Sequence, residues 1–129
     1  MATRIFLLLS ALLWLPYGIY CWFDPSSLAE AAGVVFRSPT GSTELRAMYG
    51  GLQAALGVLA AFGALRRSWE RPARAAIAFA TAGLFSARLA GTLLDGGVSS
   101  YTTMALGFEF TSAVIALVLL NRATKSIPT

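Results

Sequence analysis

Four apolar runs decide which solvent this chain can fold in: Ile5–Phe23, Leu45–Leu65, Ala73–Leu94 and Thr102–Leu120. Each approaches the ~20 residues an α-helix needs to cross a hydrocarbon core of ~30 Å. Four such runs in 129 residues are hard to bury inside a small soluble domain. Charged residues make up only 12% of the chain, half of the roughly 25% in an ordinary soluble domain. The expectation is an all-α, polytopic membrane four-helix bundle forming one domain over residues 1–129, with no internal repeat or linker. A cleavable signal peptide would suit the Arg4 start, but the first run continues through Pro16 into "YGIYCWF" without a small-residue cleavage site. It reads as a retained span, loosened near Pro16, with Tyr17, Tyr20 and Trp22 as an interfacial aromatic belt.

The basic residues fix an orientation. Arg4 precedes the first run, Arg66, Arg67, Arg71 and Arg74 fall in "RRSWERPAR" between the second and third, and Arg122 and Lys125 follow the fourth. On the other side Arg37 stands against Asp24, Glu30 and Asp95. The positive-inside rule then places both termini in the cytoplasm, with the chain multi-pass. Basic residues gathered between apolar runs carry this topology signal and do not make a nucleic-acid face. The net charge of +4 therefore does not imply a nucleic-acid partner.

The first outer connection, "DPSSLAEAAGVVFRSPTGST", contains a short interfacial helix expected over Pro25–Ala32. Asp24 would cap it, Pro25 would take its first position and Gly33 would end it. Val34–Thr43 reads as extended or turning, so Ser42 or Thr43 would cap the second span and Glu44 would sit in its first turn. The second outer connection, "DGGVSSY", is a tight glycine-rich turn.

Within the spans, polar groups recur at helical spacing. Arg46, Tyr49 and Gln53 share one face of the second span. Thr81, Phe85, Arg88 and Thr92 do so in the third, and Ala105, Glu109, Ser112 and Ala116 in the fourth. At ~1.5 Å rise per residue, Arg88 and Glu109 lie at one depth, ~9–10 Å below the outer boundary. Matched depth makes them an ion pair, because a lone charge at a helix centre costs ~2.5–3.5 kcal/mol or more. Arg46, nearer the surface, would bridge Glu44, Glu109 or solvent. Small residues stripe the second span (Gly50, Ala54, Gly57, Ala61) and the third (Gly83, Ala87, Gly91), and both stripes read as close helix contacts.

The block "ELRAMYGGLQAALG", Glu44–Gly57, resembles a family of small bacterial four-helix integral membrane proteins whose domain has no known function. Its signature is an acidic residue, then x-Arg-Ala-x-Tyr-Gly-Gly, opening the second helix. "FDP" at Phe23–Pro25, "SARLAG" at Ser86–Gly91 and "GFE" at Gly107–Glu109 extend the resemblance over nearly the whole chain. A looser similarity is to the DoxX-like four-helix membrane proteins. The resemblance implies the architecture and marks Glu44, Arg46, Tyr49, Arg88 and Glu109 as its charged and polar pattern, but it implies no reaction.

Two functional readings remain open. In the first, Arg46, Tyr49, Gln53, Arg88 and Glu109 line a charged cavity in the outer half that binds or carries a polar-headed or anionic, lipid- or quinone-like molecule. In the second, the chain is an accessory subunit of a larger membrane complex, and the layer of Arg88, Glu109, Glu44 and Arg46 is a purely structural set of ion pairs. Catalysis is not expected: an enzyme using Glu109 or Glu44 as acid/base ranks behind both readings, since no nucleophile–base pair, metal-ligand set or phosphate-cradling loop is present. With no His and the single Cys21, neither a metal nor a resident cofactor is expected, and Cys21 has no partner for an internal disulfide.

Overall fold

The computed structural model describes residues 1–124, with side chains through Asn121. Lys125 and the side chain of Arg122, two of the basic residues read as topology signals, lie outside the described residues. The elements are α1 (Ala2–Phe23), α2 (Ser27–Ala32), α3 (Pro39–Leu45), a π-helical turn (Arg46–Gly51), α4 (Leu52–Leu65), α5 (Arg67–Asp95) and α6 (Ser100–Thr124). α3, the π-turn and α4 form one continuous rod, Pro39–Leu65. Together with α1, α5 and α6 this gives four helices long and apolar enough to cross a bilayer. The chain is a multi-pass membrane protein folded as a four-helix bundle.

Several boundaries differ from the sequence reading. The second span starts at Pro39, where Ser38 accepts a hydrogen bond from Gly41 N–H at 3.1 Å. Pro39 stands just inside the helix, where its missing N–H costs nothing. This start outcompetes Ser42 and Thr43, so Glu44 is a turn too late to meet the helix dipole. α2 begins at Ser27 instead of Pro25 because Asp24 accepts from the Ser26 N–H at 3.2 Å and from the Ser26 hydroxyl, which winds the chain into a turn first. Gly33 ends α2 in the left-handed conformation, φ 69°. "RRSWERPAR" is helix and not loop, since only Arg66, extended at φ −126°, separates α4 from α5. α1 runs unbroken through Pro16.

The bundle packs in chain order, α1 on α4, α4 on α5 and α5 on α6, while α1 and α6 barely touch. Glycine makes the first seam. A Cβ on Gly18 would strike the backbone of Ala54, one on Gly57 would strike the backbone N of Leu15, and one on Gly50 would lie 2.9 Å from Trp22 Cα. The stripe in the third span behaves differently, because a Cβ on Gly83 or Gly91 meets nothing within 4 Å. These glycines are not a helix contact, since a side chain on either would point into open space. The apolar core lies toward the end carrying the termini: Leu7, Ala11, Ala60, Ala64, Ala73, Ile77, Ala78 and Ala116. Buried Arg74 closes that end, donating from Nη1 to the Leu119 carbonyl at 2.6 Å and from Nε to Glu70 O at 3.3 Å. α1 and α4 stay close beyond this half as well, through Gly57 midway and through Gly18 and Gly50 toward the α2 end.

Candidate functional site

In the half nearer α2, the four long helices surround a cavity of about 870 Å³. Its most charged feature is a guanidinium clamped to a carboxylate. Arg88 Nε donates to both Glu109 oxygens at 3.1 Å and Nη2 donates to Oε1 at 2.8 Å. A two-point contact of this kind fixes geometry as well as charge. Glu109 is 3% exposed as a residue, whereas the Arg88 side chain is 25% exposed. The Arg88 guanidinium carbon also stands 5.7 Å from the centre of the Tyr101 ring, within cation–π range. Thr92 donates its hydroxyl to the Arg88 carbonyl at 2.8 Å, and Phe85 stacks obliquely on Phe110 at 5.3 Å, so α5 and α6 hold the pair from both sides.

Opposite the pair, α1 contributes Trp14 and Tyr17. Trp14 packs against Phe108 with ring centres 5.7 Å apart. The Tyr17 and Tyr101 hydroxyls meet at 3.4 Å. These two contacts bridge α1 to α6, which otherwise stand apart. The remaining wall is mostly apolar, with Leu13, Leu56, Leu84 and Ala105 among its residues. Met48, Leu52 and Phe79 also line it, and they are 50–77% exposed on the bundle surface. The cavity therefore opens sideways, past α4 and α5, onto the face that meets acyl chains.

Residues 2–120 match the family described as a domain of unknown function, DUF4345. The chain belongs to that family. Nothing among curated proteins or solved structures matches it. Among the described residues of this DUF4345 protein, no group of three His, Cys, Asp or Glu is placed to hold a metal ion.

Of the residues expected to form the site, Tyr49, Gln53, Arg88 and Glu109 line the cavity of this DUF4345 chain. Arg46 and Glu44 do not. Arg46 reaches instead to the end of α1, donating to the Trp22 and Phe23 carbonyls, the latter at 3.4 Å. It satisfies acceptors that a helix C-terminus leaves unpaired. Glu44 is exposed, and among the described residues no ion pair joins it to Arg46. The reason is the π-turn over Arg46–Gly51, whose i to i+5 bonding widens the helix. Residues three apart no longer stack, so Arg46 leaves the face that Tyr49 and Gln53 share. Such bulges are frequent at functional sites. The sequence reading leaves out Trp14 and Tyr101 and puts Tyr17 in the aromatic belt, whereas all three line the cavity. Their signal was available, since Trp14 and Tyr17 are three apart and fall on one helix face.

Proposed function

We propose that this chain is a non-catalytic membrane protein that binds or carries a small lipid-like molecule with a polar head. The observation that carries this reading is a cavity with apolar walls, a buried ion pair at its polar edge and an opening toward the acyl chains. A site built only to hold helices together would be filled, and this one is not. Ligand pockets typically combine such a wall with a few fixed polar groups. Gly83 supplies the test, because it lines the cavity and has open space where a side chain would grow. Gly83→Phe fills the chamber and leaves Arg88 and Glu109 in place. Native mass spectra of wild type in mild detergent are expected to show about one bound amphiphile per chain, lost in Gly83→Phe and retained in Arg46→Ala. Equal occupancy in wild type and Gly83→Phe would overturn the reading. So would an empty wild-type chain that co-purifies with a larger membrane protein, which would favour the accessory-subunit role.

The same proposal places the protein in a bacterial inner membrane with both termini in the cytoplasm. Supporting it, Arg4, Arg67, Arg71 and Arg74 rim a recess of about 710 Å³ at the terminal end, where a basic collar suits a cytoplasmic leaflet. Alkaline phosphatase fused after Val35 is expected to be active in cells, and the same enzyme fused after Arg66 inactive. The reverse pattern would refute this orientation.

A further inference from the structure

Counting charge and hydrogen-bonding capacity around the cavity narrows what can occupy it. Among the described residues that line it, Arg88 and Glu109 carry the formal charges of opposite sign, and they are spent on each other. Arg46, the other candidate for meeting an anion, is committed to the carboxyl end of α1. An anionic head entering here would face the Glu109 carboxylate with no unpaired cation to receive it. It would have to pull Arg88 away or stay buried without compensation, and both are costly.

A second observation is independent of charge. Trp14 and Gln53 both line the cavity, and both are more than nine-tenths buried, at 6% and 8% exposure. Trp14 Nε1 and Gln53 Oε1 nonetheless have no hydrogen-bond partner in the protein. One is a donor and the other an acceptor. Buried polar atoms are seldom left so, and an orphaned pair of opposite sense points to a missing group that accepts and donates at once. A hydroxyl does both, whereas a quinone carbonyl or an ether oxygen only accepts and would leave Gln53 unpaired.

We infer that the occupant is an uncharged lipid alcohol, a hydroxyl on an apolar body, with its oxygen accepting from Trp14 and its proton donated to Gln53. The inference rests on the cavity being a ligand site and specifies the chemical class of that ligand. The apolar body would lie along Leu56, Leu84 and Phe108 and leave sideways past Phe79, so loading requires no passage through water.

Three probes separate the alternatives: dodecanol, dodecyl methyl ether and dodecyl phosphate, each titrated against the full chain in neutral-detergent micelles. Occupancy is read by native mass spectrometry. Dodecanol is expected to half-fill the protein at about five- to tenfold lower concentration than the ether, the worth of roughly one hydrogen bond to a buried group. It should lead the phosphate by at least as much. In Gln53→Leu the advantage of alcohol over ether disappears, while ether binding is unchanged. In Trp14→Phe alcohol and ether weaken together. Dodecyl phosphate binding as tightly as dodecanol would overturn the inference yet leave the cavity reading intact, and so would alcohol and ether binding equally to wild type. If no probe distinguishes wild type from Gly83→Phe, water alone satisfies Trp14 and Gln53, and the cavity reading fails as well.

Discussion

Glu109→Ala is expected to lower unfolding free energy by about 2–4 kcal/mol in mixed-micelle denaturation, although it removes only one side chain. Breaking a fully buried ion pair from one side costs ~3–5 kcal/mol, because a charge is left without compensation. The expected loss is smaller here since the Arg88 side chain remains 25% exposed through the cavity mouth. The double variant Arg88→Met with Glu109→Leu should recover most of the loss, as replacing both members of such a pair by apolar groups is often neutral. The two changes would then be strongly non-additive. Independent sites add within about 0.3–0.5 kcal/mol, so additivity at that level would show that the two groups do not depend on each other.

Gly57→Leu is expected to be worse, leaving little folded protein to purify. The seam between α1 and α4 is set by backbone meeting backbone, and a Cβ at Gly57 would overlap the main chain of Leu15. No rotamer relieves a clash of that kind, so α1 must lift away along its length. Overpacking in a formed core costs ~1–3 kcal/mol when side chains can adjust, and more when they cannot. Gly83→Ala and Gly91→Ala make the contrast, since open space surrounds both positions. Removing glycine from a helix interior stabilises by roughly 0.5–1 kcal/mol, so these two variants should melt at or above the wild-type temperature. Wild-type yield and melting temperature in Gly57→Leu would show that the seam is not close-packed. A large loss in Gly83→Ala would show that α5 is packed where it is described as free.

Hydropathy over ~20-residue stretches fixed the number of spans, and the constraint is thermodynamic and local. A backbone crossing hydrocarbon must satisfy its own hydrogen bonds, so an apolar run of that length becomes a helix whatever surrounds it. The Arg88–Glu109 contact was legible for a related reason, because helical rise converts sequence position into depth and a charge at depth needs an opposite charge at the same level. Rotation about the helix axis was not legible. The third-span glycines carry the same small-residue spacing as those of the second, yet only the second stripe touches a neighbour. Arg46 falls on the face of Tyr49 and Gln53 in a regular helix, but the π-turn, in which Gly50 packs on Trp22, carries it to the end of α1. Likewise, the unpaired Trp14 and Gln53 atoms belong to two different helices, α1 and α4, whose meeting around the cavity neither records alone. Sequence alone determined which segments enter the membrane and at what level their charges lie, because those depend on one helix at a time. Tertiary structure alone decided which faces meet and where space remains, because a cavity belongs to no single helix and depends on how closely four of them can approach.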